Sequence, residues 1–232
     1  MDIDTYESLG GQVALVTGAT RGIGAEIATA LAERDALVYA GARNPDDITS
    51  PDLRPIELDV SADQSIANTV AKISDEAGRL DILVNNAGIA GPRDELDEIS
   101  IESLDETLAV NLRGPILTTR AALSLLLQRP GGRVVNVSSG MGALGEGMRG
   151  GHPPYRIAKA GLNALTVYLH GAYASSGIIA NAACPGWVRT DLGSPNAPKS
   201  PAEGAETPVW LSTFTPDAPG GRFWRDRRII DW

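Results

Sequence analysis

Short runs of apolar, small and β-branched residues recur along the chain: Val13 to Thr17, Leu37 to Ala42, Pro55 to Leu58, Ile82 to Val84, Val134 to Val137 and Ile178 to Ala183. None alternates strictly between apolar and polar positions, so each predicts a strand covered on both faces. Between them apolar positions return every three or four residues. That period predicts helices over Ile23 to Glu33, Ser65 to Ala77, Ile101 to Leu127 and Tyr155 to Tyr173, with another beginning near Pro201. Strand then helix, repeated, requires a parallel sheet, because parallel neighbours are joined by long crossovers. The predicted fold is α/β: a doubly wound parallel sheet of Rossmann type, in a single domain over residues 1–232. Two Gly- and Pro-rich stretches, Gly140 to Pro154 and Gly193 to Pro201, follow strands, where the loops of such a sheet form the binding crevice.

Composition narrows the partners. The chain has 232 residues, 43% of them hydrophobic, enough for a sizeable core. With 29 acidic and 20 basic side chains the net charge is -9, which opposes binding to nucleic acid or to an anionic membrane. Basic residues cluster only at Arg222, Arg225, Arg227 and Arg228, a run read as a solvated face. The single cysteine, Cys184, excludes an internal disulfide and is read as a small core residue. No apolar run approaches the roughly 20 residues that span a membrane. The segment Met1 to Gly11 carries Asp2, Asp4 and Glu7 where a signal peptide would be basic and then apolar. A cytoplasmic location is expected.

The first chemical signal is Thr17-Gly18-Ala19-Thr20-Arg21-Gly22-Ile23-Gly24, where the first strand gives way to the first helix. Glycines let a backbone approach a pyrophosphate, and the free N–H groups of a helix start favour its negative charge. After the second strand stands Gly41-Ala42-Arg43, with no acid for the ribose hydroxyls of NAD. Arg43 and Arg21 offer two guanidinium groups suited to a ribose phosphate, so NADP(H) is the expected cofactor. Tyr155 and Lys159 are one helical turn apart and share a face. A cation about 4 Å from a phenol, at an effective dielectric of about 20, contributes roughly 4 kcal/mol and draws its pKa towards neutrality. His152 is read as a solvated loop residue near Tyr155, and His170 as structural.

Further motifs stand in order: Asp59-Val60, Asn85-Asn86-Ala87-Gly88, Asn111, Ser138-Ser139, Tyr155 with Lys159, and Pro185-Gly186. Together with the glycine turn they resemble the short-chain dehydrogenase/reductase family over nearly the whole chain. Two segments, Trp187-Val188-Arg189-Thr190-Asp191-Leu192 and Gly220-Gly221-Arg222-Phe223-Trp224, resemble its carbonyl-reductase branch. The resemblance implies an oxidoreductase that reduces a ketone or aldehyde by hydride transfer, with Asn111, Ser139, Tyr155 and Lys159 as the catalytic set. Ser139 is preferred over Ser138 for holding the substrate oxygen, and Asn111 would support a water leading to Lys159.

For the cofactor, the resemblance assigns the glycine turn through Gly18, Arg21, Gly22, Ile23 and Gly24, with Arg43 at the ribose phosphate. Asp59 and Val60 would hold the adenine, and Asn86, Ala87 and Gly88 would line the adenosine side. Pro185, Gly186, Val188 and Thr190 would sit at the nicotinamide, with Tyr155 and Lys159 at its ribose. No metal is expected. A homodimer or homotetramer through the helices holding Asn111 and Tyr155 is implied. Two departures from the family pattern affect the pocket. The interval from Ser139 to Tyr155, sixteen residues, is a few longer than usual, and the segment between Thr190 and Pro201 is short. A catalytically silent NADP(H)-binding sensor would lose Tyr155, Lys159 or Ser139. A nucleotide-sugar epimerase or dehydratase would have a longer C-terminal region.

Overall fold

The computed structural model describes residues 3–232. In chain order the elements are β1 (Val13–Thr17), α1 (Gly22–Ala32), β2 (Leu37–Ala42), β3 (Arg54–Glu57), α2 (Asp63–Ala77), β4 (Ile82–Asn85) and α3 (Ile101–Leu108). Then come α4 (Gly114–Leu126), β5 (Gly132–Val137), α5 (Pro153–Tyr173), β6 (Ile178–Ala183), α6 (Pro201–Ser212), β7 (Arg222–Arg225) and β8 (Arg228–Ile230). One sheet contains all eight strands, in the order β3-β2-β1-β4-β5-β6-β7-β8. Neighbours from β3 through to β7 are parallel, and β8 pairs antiparallel with β7.

Strand neighbours point to opposite sides of a sheet, and the core shows it. Val16, Val84 and Val135 pack with Ile27 and Leu31 of α1 and Val209 and Leu211 of α6. The adjacent Leu15, Leu83 and Val134 pack on the other face with Ile66 and Ile73 of α2, Leu126 of α4 and Leu169 of α5. This two-sided burial explains the unbroken apolar runs of the central strands, but the expectation fails at β3, an edge strand in which only Ile56 is buried. From β1 the chain winds outward through β2 and β3, while β4 to β7 lie on the other side of β1. The loops after β1 and β4 therefore part, and a crevice opens at the carboxyl ends of the strands.

The six strands expected from sequence, β1 to β6, are parallel, and two further strands follow, β7 parallel to β6 and β8 turning back. The basic run from Arg222 to Arg228 is a β-hairpin, whose two-residue turn has Asp226 and Arg227 both in the left-handed region, at φ 51 and 57°. Those angles define a primed turn, which matches strand twist but is usually signalled by Asn-Gly or Asp-Gly. The helix expected over Ile101 to Leu127 is interrupted by a π-helical turn at Ala109–Arg113, with Asn111 fully buried inside it. Such single wide turns inside helices are rare and concentrate at functional sites.

Candidate active site

The glycine turn is built by close approach. Gly18 and Gly22 have φ of 67° and 58°, in the left-handed region that glycine adopts without penalty. A Cβ on Gly24 would lie 2.2 Å from the Gly18 carbonyl oxygen, so no other residue fits there. Thr17, the first residue of the glycine motif, ties this turn to the loop after β4: its Oγ1 accepts from the backbone N–H groups of Asn86 (3.0 Å) and Ala87 (2.9 Å). The Asn86 amide donates to the carbonyls of Thr17 (2.9 Å) and Gly18 (3.1 Å). The start of α1 has no side-chain cap. Its first N–H groups are thus unclaimed by a side chain, and the turn suits the pyrophosphate of a dinucleotide.

At the end of β2, Ala42 is buried and Arg43 exposed, and among the described residues no carboxylate lies within 4.0 Å of Arg43. Asp59 is held below the usual carboxylate range chiefly by the Ser61 hydroxyl, with Arg43 adding to the effect. Val60 packs against Gly114, where a Cβ would meet the Val60 carbonyl oxygen at 2.8 Å. Arg21 is placed differently from Arg43. Its guanidinium pairs with Asp191 at 2.7 Å, both side chains about three-quarters exposed, so the pair bridges the glycine turn and the segment after β6. Thr190 lies beneath this bridge, its Cγ2 3.2 Å from where a Gly22 Cβ would stand.

The expected catalytic set converges at the ends of β4 and β5. Ser138 is buried and donates to Asn163 Oδ1 (2.6 Å), inward towards α5. Ser139 is half-exposed, and its Oγ accepts from the backbone N–H of Met141 (3.1 Å). Lys159 is buried; its ammonium donates to the Val137 carbonyl (2.8 Å) and lies 5.5 Å from the centre of the Tyr155 ring. Asn111 uses both ends of its amide on one residue, accepting from Ile89 N–H (3.0 Å) and donating to Ile89 C=O (2.8 Å). The π turn thereby pins the loop after β4, and Gly88 is squeezed between: a Cβ there would be 2.8 Å from Asn111 Oδ1 and 3.8 Å from Lys159 Nζ.

Electrostatics depart from the expectation that the lysine brings the phenol towards neutrality. Burial dominates and pushes the Tyr155 hydroxyl up to about 12, with the neighbouring Ser139 hydroxyl pulling the other way. Burial also pushes the Lys159 ammonium down to about 8. The phenol therefore holds its proton firmly, and the lysine can gain or lose one near neutral pH.

The long loop after Ser139 is tied down from the C-terminal hairpin. Arg225 forms a two-pronged pair with Glu146 (2.8 and 3.0 Å), and its Nε donates to Cys184 Sγ (3.4 Å), which also accepts from Gly140 N–H (3.2 Å). The Gly145 N–H donates to the Trp232 carbonyl (2.7 Å), and Trp232 stacks on Phe223 at 5.5 Å. The segment after Thr190 is likewise closed on itself, Arg189 donating to the carbonyls of Ala197 (2.9 Å) and Pro198 (2.8 Å). Val188 is buried, and Pro185 accepts from Lys199 (3.2 Å) beside Gly186. His152 is no freely solvated residue: its Nδ1 lies 3.2 Å from the Ala90 carbonyl, and its backbone is left-handed at φ 64°.

A doubly wound sheet with a glycine turn at its switch point and a serine, tyrosine and lysine converging on the same crevice defines a nicotinamide-dependent oxidoreductase frame. The family model for short chain dehydrogenase matches residues 12–200, and the chain belongs to the short-chain dehydrogenase/reductase family. It is 35% identical to carbonyl reductase [NADPH] 1 of Sus scrofa over 276 aligned positions, covering 95% of this chain and 94% of the relative. It is 37% identical to the 3-oxoacyl-[acyl-carrier-protein] reductase FabG of Vibrio cholerae over 192 positions, covering 80% of this chain and 77% of the relative. The NADPH-bound carbonyl reductase from chicken fatty liver superimposes with a TM-score of 0.86 at 26% identity, over 97% of this chain and 96% of that one. Among the described residues no helix is long and apolar enough to cross a membrane.

Proposed function

We propose that the chain is an NADP(H)-dependent reductase of a ketone or aldehyde, with Tyr155 as the proton donor. The observation that carries this reading is the convergence of Ser139, Tyr155 and Lys159 beside a glycine turn whose helix start has no side-chain cap. When bound, the reduced nicotinamide supplies the hydride. The Ser139 hydroxyl holds the substrate oxygen against Tyr155, whose phenol gives its proton to that oxygen as the carbon accepts the hydride. A phenol pushed up to about 12 suits the donating role, and Lys159, with a pKa near 8, returns a proton to it. Asn111 keeps the loop through Gly88 and Ile89 against this group. The porcine relative is named as an NADPH carbonyl reductase and the bacterial one as a 3-oxoacyl reductase, both acting on a carbonyl, which supports the reaction class.

Arg43 is the residue for the 2′-phosphate, since Arg21 would first have to leave Asp191. A charge-assisted hydrogen bond contributes about 1.5–3 kcal/mol, so losing one weakens binding roughly ten- to a hundredfold. The test mixes purified protein with NADPH or NADH and a panel of ketones, aldehydes and quinones, following nicotinamide absorbance. NADPH is expected to be consumed in preference to NADH, and Arg43→Ala to raise the Michaelis constant for NADPH strongly and that for NADH little. Equal effects on the two cofactors, or a wild-type preference for NADH, would contradict the assignment.

A further inference from the structure

At the amino ends of β1, β4 and β5, opposite the crevice, the structure has a polar cavity of about 420 Å³. Tyr6, Gln12, Arg79, Asp81, Arg129 and Arg133 line it. Three guanidinium groups face one carboxylate, in a chain whose net charge is -9. That carboxylate is already committed. Asp81 accepts two-pronged bonds from Arg79 (2.8 and 2.9 Å) and a third from the Val13 N–H (2.8 Å). Among the described residues, neither Arg129 nor Arg133 has a carboxylate within 4.0 Å.

Arg133, on β5, is the telling residue. It is only 2% exposed, and its Nε is buried with no hydrogen-bond partner. Its other nitrogens meet neutral acceptors: the Gln12 side chain, the Phe214 carbonyl at 3.3 Å and the Asp81 carbonyl at 3.4 Å, with the Tyr6 ring 5.4 Å away. Burial lowers its pKa to about 10 against the opposing pull of the Asp81 carboxylate, so it remains charged at neutral pH. A buried cation whose nearest carboxylate is already bonded to another arginine is costly, and a cavity beside it is room for a further anion.

We propose that this cavity is a binding site for a phosphate group, with Arg129 and Arg133 supplying the charge. Two cations without carboxylate partners match a dianion, and a phosphate ester is nearly doubly charged at neutral pH. The cavity falls in the size range of small-ligand sites, larger than one phosphate needs, which favours an esterified phosphate over the free ion. The site lies at the other end of the strands from the crevice and does not depend on the reaction assigned there.

Thermal unfolding tests it, with inorganic phosphate and glycerol phosphate as probes against sodium chloride of equal ionic strength. A ligand at about ten times its dissociation constant should raise the Tm of a chain this size by roughly 3–5 °C. The rise should saturate, persist in Arg43→Ala, and vanish in Arg129→Gln, a substitution at an exposed position that leaves the core intact. A lower midpoint for glycerol phosphate would identify the ester as the ligand, and equal midpoints the free ion. Absence of a saturable rise, an equal rise in Arg129→Gln, or its loss in Arg43→Ala would overturn the proposal; the last would place the phosphate in the crevice.

Discussion

Lys159 shows how a single residue carries both a cost and a use. Its pKa is pushed down to about 8 by burial, well below the value of an unfolded lysine. Below pH about 8 the ammonium is charged in both states, and the folded state bears the full penalty of burying it. Between about 8 and the unfolded value near 10.4, the unfolded chain binds more protons, so stability rises with pH. Lys159→Met removes this titration. In urea unfolding, the advantage of the variant over the wild type at neutral pH should shrink by about 3 kcal/mol on moving to pH about 10. A difference that is flat with pH would mean that the ammonium is solvated.

The residues that converge on the crevice could be named from sequence, because their types are rarely assembled by accident: a glycine turn, an Asn-Asn-Ala-Gly run, paired serines, a tyrosine and lysine one turn apart. What could not be read was how polar side chains are used on backbone. Thr17, Asn86 and Asn111 all spend their hydrogen bonds holding loops together, which depends on neighbours far away in the chain. The Arg21 pair with Asp191 was invisible for the same reason, with 170 positions between the partners.

Among elements, strands β1 to β6 and the long helices followed from the apolar pattern of the sequence, and the C-terminal hairpin did not. Its strands are short and arginine-rich, and its turn is Asp226-Arg227 where a primed turn usually announces itself with glycine. Yet this hairpin fastens the loop that begins at Ser139, through Arg225 to Glu146 and to Cys184. A site loosened by a fraction of an ångström loses rate more than affinity for a distant cofactor. Arg225→Ala and Glu146→Gln should each lower kcat on the order of tenfold while leaving the Michaelis constant for NADPH nearly unchanged. Steady-state kinetics reads both numbers, and unchanged kcat in both variants would show that the loop is held without the Arg225 pair, through the Gly145 bond to Trp232.

At the scale of the whole molecule, α4 and α5 present apolar side chains to solvent. Some apolar residues of these helices, Ala122 and Leu125 among them, are buried against the sheet. The exposed large apolar residues are Ile116 of α4, Leu127 just past its end, and Ile157, Val167 and Tyr168 of α5. Large apolar side chains exposed on both helices suit a protein interface, and a second copy of the chain is the expected occupant. Light scattering at micromolar concentration should show a dimer or tetramer, and Tyr168→Arg, at a position 64% exposed, should shift it towards monomer. A wild-type monomer would contradict this reading.

The central claim is that one phenolic hydroxyl transfers the proton while the crevice binds NADPH. The direct measurement is single-turnover NADPH oxidation with a carbonyl substrate, together with NADPH binding by fluorescence, for wild type and Tyr155→Phe. Because the substitution removes only the hydroxyl of a residue lodged between Ser139 and Lys159, fold and NADPH affinity should be kept. Turnover should fall by at least about a hundredfold, the usual contribution of a positioned general acid. A Tyr155→Phe protein that oxidises NADPH at close to the wild-type rate would contradict the account.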